Sequence, residues 1–133
     1  MDSPKLYVAF YRPHYGNYQH WALTIEQESS KCIIIEVVGQ HPMFTRNIIE
    51  KRPEDSRRFI GKIYLGVISK RDIESIKRLA MSQPVENEIV EWDCQDYVLE
   101  LLDKLEEEFI LDADDEEYNE ARKELQKRRG GIV

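Results

Sequence analysis

The chain has 133 residues, of which 41% are hydrophobic and 10% aromatic, and a formal net charge of −7. That length suits one hydrophobic core, and no segment carries the run of apolar residues needed to cross a bilayer. Met1-Asp2-Ser3-Pro4-Lys5 lacks the pattern of a signal peptide and only two cysteines are present, so the expectation is a cytoplasmic protein without a structural disulfide.

Leu6 to Tyr11 is rich in β-formers and predicts a first strand. Arg12 to Asn17, with Pro13, His14, Tyr15 and Gly16, reads as a loop. His20 to Glu26 alternates, with Trp21, Leu23 and Ile25 on one face and His20, Ala22, Thr24 and Glu26 on the other. A polar turn at Gln27–Ser30 leads to the β-branched run Lys31–Val38, which Gly39–Pro42 ends. Phe44–Lys51 and Phe59–Ile68 are two further strand candidates, separated by a charged loop around Pro53.

Ser69 and Asp72 have capping-box spacing before a helix carrying Ile73, Ile76, Leu79 and Ala80, which Pro84 ends. The connector 85–92 holds a candidate short strand at Glu88–Val90. Asp93 is a favourable N-cap for a helix whose apolar stripe runs through Tyr97, Val98, Leu101, Leu102, Leu105 and Phe109. Cys94 extends that stripe backwards, so its thiol points inward at the positive end of the helix dipole. From Asp103 onward 11 acidic and 6 basic residues give a net of −5. Tyr118, Ala121 and Leu125 are the thin apolar face of a last charged helix. The fold class expected is α+β: an antiparallel sheet packed against a cysteine-bearing helix, with an extra C-terminal helix. The expected division is a domain over 1–111 and a helical extension over 112–133.

A cysteine at a helix start and a histidine at a strand start are the parts of a thiolate nucleophile with its base. Pairing the second and third strands so that Trp21 faces Ile35 and Leu23 faces Ile33 sets His20 opposite Glu36 and keeps each face uniform. Glu36 then orients the imidazole. The N–H groups near Gln95, the Gln19 side chain, and Trp92 as cleft wall are the candidates for oxyanion and substrate binding. Taken singly, each residue has an ordinary structural explanation: a buried thiol, an edge histidine, a surface acid. It is the combination that points to catalysis. Cys32 reads as a small hydrophobe, His14 and His41 as loop residues, with His41 the substitute third member. Neither metal-ligand spacing nor a cofactor motif is present. Arg57-Arg58 and Lys127-Arg128-Arg129 are short basic clusters with acids nearby, too little for a nucleic-acid stripe.

The segments Gln19-His20-Trp21-Ala22-Leu23 and Asp93-Cys94-Gln95-Asp96-Tyr97 resemble the two signature regions of circularly permuted papain-like proteins. That superfamily includes the lecithin:retinol acyltransferase-like enzymes and the PPPDE-type peptidases. In these proteins a histidine strand precedes a cysteine helix. The chain is similar in particular to small proteins abundant in filamentous fungi, whose second motif reads Asn-Cys-Gln-Asp and whose middle strand reads Ile-His-Val-x-Gly. Here the middle strand is Ile35-Glu36-Val37-Val38-Gly39. The resemblance, over roughly residues 5 to 111, implies that Cys94 is the nucleophile and His20 the base. Glu36 replaces a histidine and Asp93 replaces an asparagine, and an acid beside the cysteine opposes thiolate formation. The expectation is a cysteine-dependent hydrolase or acyltransferase acting on a small-molecule or peptide-like amide, ester or thioester. Its alternatives are an acid–base enzyme of small-molecule biosynthesis and a binding module, with a homodimer through the C-terminal helix as a further expectation.

Overall fold

The structure is a computed structural model that describes residues 3–13, 16–27 and 31–130. Five strands, β1 (Lys5–Tyr11), β2 (His20–Glu26), β3 (Cys32–Val38), β4 (Thr45–Glu50) and β5 (Phe59–Val67), form one antiparallel sheet in the order β4-β3-β2-β1-β5. Three helices follow: α1 (Asp72–Ser82), α2 (Cys94–Glu107) and α3 (Glu116–Arg128). The protein is α+β.

Period-2 alternation divides the sheet into two unlike faces. Leu6, Val8 and Phe10 of β1, Trp21, Leu23 and Ile25 of β2, and Ile33, Ile35 and Val37 of β3 share one core with the helices. Within that core α2 contributes Tyr97, Val98, Leu101, Leu102 and Leu105, all with no exposed surface. Each such aliphatic side chain contributes roughly 1.5–3 kcal/mol by its burial. The second face carries Ala9, Tyr11, Ala22 and Ile34, packed with Phe59.

The β2–β3 register differs from the expected one by two residues. Leu23 lies opposite Ile35 and Ile25 opposite Ile33. A shift of two preserves the faces, which is why side-chain alternation alone could not choose between the two pairings. Continuing the observed register sets Ala22 level with Glu36, and His20, two positions further along, level with Val38.

Three further expectations change. Glu88–Val90 forms turns, not a strand, because Asn87 pins the connector to β4: its side chain accepts from the Phe44 N–H (2.8 Å) and donates to the Phe44 carbonyl (3.0 Å). Ser69 and Asp72 make half of the capping box, the Asp72 carboxylate accepting from the Ser69 N–H at 2.9 Å. Phe109 leaves the α2 stripe and is 92% exposed. With φ +59° it is the left-handed residue of a Schellman closure, in which the N–H groups of Phe109 and Ile110 return to the carbonyls of Glu106 and Leu105.

The C-terminal helix packs on the body. Tyr118, Ala121 and Leu125 join the main core beside β5, and Arg122 pairs with Asp103 and Glu106 of α2. No helix among the described residues is long and apolar enough to cross a membrane.

Candidate active site

Cys94 opens α2 because Asp93 caps it. The Asp93 carboxylate accepts from the Gln95 N–H (2.8 Å), and the Asp96 carboxylate returns to the Asp93 N–H (2.9 Å), a complete capping box. The Asp93 carboxyl is thus turned into the helix end. Burial raises its pKa, against the lowering effect of the backbone N–H groups it accepts from. This fixes the turn and points Cys94, 2% exposed, into the protein.

His20 opens β2. The preceding Gln19 carbonyl lies 4.0 Å from the Cys94 sulfur and accepts from the Gln95 side chain at 2.9 Å. The thiol therefore meets the imidazole around the end of the sheet. It does not cross the face at Ala22, which packs with Tyr11 and Ile34 on the side away from α2.

The His20 Nε2 lies 2.6 Å from Glu36 Oε1, and Asn47 Nδ2 donates to the other Glu36 oxygen at 2.7 Å. With Nε2 held by Glu36, Nδ1 is the ring nitrogen left for the sulfur. Burial acts to lower the His20 pKa. Hydrogen bonds and charge interactions with Cys94 and Glu36 outweigh it and raise the value to about 10. These contacts favour the protonated imidazole, oriented by a carboxylate that is itself held by an amide.

Cys94, His20 and Glu36 line one cavity of about 240 Å³. Tyr11, Tyr18 and Ile34 form part of its wall, and the segment after β4, with Lys51, Arg52, Pro53 and Arg58, closes its far side. Gly39 shapes the adjoining turn: φ is +98°, and a Cβ there would meet the Met43 carbonyl oxygen at 3.0 Å.

Cys94, His20 and Glu36 come together as the sequence suggests, through the shifted register. The oxyanion candidates change. The Gln95 N–H is consumed by Asp93, and its side chain, wholly buried, bridges the Gln19 carbonyl and the Gly130 N–H (2.9 Å each). Cys94 is the first residue of α2, where a backbone N–H has no intrahelical acceptor, so its N–H takes over as the oxyanion candidate. Gln19 serves through its main-chain carbonyl. Trp92 lies outside the cavity, its ring against Phe44 and Tyr97 and its N–H on Glu100 (3.1 and 3.2 Å). His41 is not among the cavity residues, and His14 lies outside the described residues. Asn47 carries no signal in the sequence and faces Glu36 only through the β3–β4 register. Among the described residues no group of His, Cys, Asp and Glu is placed to hold a metal ion.

In comparison with known proteins, residues 6–112 match DUF6540, a family of unknown function. No curated protein and no solved structure matches.

Proposed function

The chain belongs to the DUF6540 family, and from that premise we propose that it is a cysteine-dependent acyl-group enzyme, a hydrolase or acyltransferase with a permuted papain-like arrangement. The observation that carries this reading is the His20 ring held at 2.6 Å by Glu36 while its pKa is raised by Cys94, inside a single cavity. The Cys94 thiolate attacks an acyl carbonyl, forming the S–C bond. The N–H of Cys94 donates to the oxyanion. The His20 imidazolium gives its proton to the departing amine, alkoxide or thiolate as the C–X bond breaks. Neutral His20 then takes a proton from water or an acceptor alcohol or amine. That nucleophile attacks the thioester, and Cys94 is released. We place the enzyme in the cytoplasm, acting on a small-molecule or peptide-like substrate.

An acid–base reading without a covalent step has one observation in its favour. Cys94 is 2% exposed, whereas the His20 side chain is 20% exposed.

Intact-mass spectrometry after brief exposure to p-nitrophenyl acetate separates the two. The covalent reading expects one acetyl group on Cys94, absent from Cys94→Ala and strongly diminished in His20→Ala. Turnover that survives Cys94→Ala, with no adduct, supports the acid–base reading instead.

A further inference from the structure

Two features of the cavity are not used by the acyl-transfer chemistry. The first is its charge. In a chain with net charge −7, Lys51, Arg52 and Arg58 all line this cavity. Other cations are committed: Lys62 to Glu26 and Glu54, Arg122 to Asp103 and Glu106, and Arg129 to Asp96, while Arg12 and Arg46 donate to the carbonyls of Arg57 and Gln83. Among the described residues none of the three cavity cations has a carboxylate in ion-pair contact. Arg58 donates to the Pro13 carbonyl at 3.0 Å, and Arg52 acts on Glu54 only at longer range. Glu36, the acid lining the same cavity, is committed to His20 and Asn47.

The second feature is Tyr11. The residue lines the cavity, and its hydroxyl is buried with no hydrogen-bond partner among the described residues. Its ring stands 5.5 Å from that of His20. A buried donor without an acceptor is costly, and its usual explanation is a ligand or water that supplies one.

We propose that the cavity takes acyl substrates bearing an anionic group, a carboxylate or phosphate, received by Arg52, Arg58 and Lys51. The Tyr11 hydroxyl donates to an oxygen at the reactive end. The inference rests on the acyl-group reading for its reactive end, but the anion site stands on its own geometry. Arginine's fixed fork suits a carboxylate or phosphate, and the low-dielectric walls strengthen the attraction.

The test compares alkylation of Cys94 by iodoacetate and by iodoacetamide in Cys32→Ala protein, with glutathione as reference. The expected iodoacetate-to-iodoacetamide rate ratio is at least ~10-fold above that of glutathione, falling several-fold in Arg52→Gln/Arg58→Gln and in high salt. A ratio equal to that of glutathione overturns the proposal. So does a raised ratio that the arginine variant leaves unchanged, since the His20 imidazolium alone would produce it. Cys94 that resists both reagents removes the nucleophile reading, and binding then decides the anion site. Glutarate and glutaramide are titrated against the His20 ring signals by NMR. Saturable shifts with glutarate, absent with glutaramide and lost in the arginine variant, uphold the site; equal or absent responses to both overturn it. Melting curves of each variant confirm folding.

Discussion

The His20 ring and the Glu36 carboxylate meet at 2.6 Å although they are not level in the sheet. Glu36 is level with Ala22 by the observed register, so the contact runs diagonally along one face, within reach for long side chains. Asn47, directly opposite Glu36 on β4, fixes the far oxygen. Three strands thus hold one imidazole, and α2 brings the sulfur to it.

The charge on His20 gives the first prediction. Its folded pKa, about 10, lies above the ordinary value of 6.5. NMR should find its ring protonated through pH 8, and Glu36→Gln should bring the titration down. Because the folded value is raised, its stabilisation is complete below the unfolded value of ~6.5 and fades as pH climbs toward the folded one. Stability should fall by up to about 1.4 kcal/mol per pH unit across that window. A flat profile, measured by urea unfolding at several pH values, would show that Glu36 does not hold the proton.

Asn47 acts through Glu36 as a positioning residue. Asn47→Leu leaves one oxygen of a largely buried carboxylate unpaired, at a cost of about 1–3 kcal/mol. The expected effect on ester turnover is a lower kcat with KM little changed and an altered pH profile. A loss of stability with the pH profile intact would make Asn47 purely structural.

Gln95 ties the start of α2 to two distant points, the Gln19 carbonyl and the Gly130 N–H, and Arg129 pairs with Asp96 beside it. The end of α3 therefore braces the Cys94 turn. Gln95→Leu removes both hydrogen bonds in a fully buried place. It is expected to destabilise by about 2–4 kcal/mol and to slow Cys94 alkylation relative to wild type. An unchanged alkylation rate in protein that remains folded would separate α3 from the site.

Phe109 occupies a left-handed position, φ +59°, with its ring 92% exposed. Phe109→Gly relieves that backbone strain and is expected to raise stability by about 1 kcal/mol in thermal or denaturant unfolding. A loss of stability would mean that the exposed ring has a packing role.

The sheet, the three helices and the pairing of Cys94 with His20 were legible in the sequence because each rests on local pattern. Alternation along His20–Glu26 set the faces, and Asp93 set the helix start. What was not legible depends on relations between distant segments. A register shifted by two preserves every face, so the pattern does not fix the level partner of His20, although the contact with Glu36 survives the shift. Asn47 carries no motif and acquires its role from β4 pairing. The Asp93 side chain that makes the helix start recognisable, and so points to the Gln95 N–H as an oxyanion donor, is the group that consumes it. Phe109 fits the helical spacing, but the chain had already turned out of the helix.

The most direct test of the central claim is the rate of Cys94 alkylation by iodoacetamide at pH 6.5 in Cys32→Ala protein, set against glutathione and against the same protein carrying His20→Ala. An activated thiolate predicts a rate at least ~10-fold above that of glutathione, abolished by the His20 substitution. A rate at or below that of glutathione, indifferent to His20, would contradict a Cys94–His20 nucleophile.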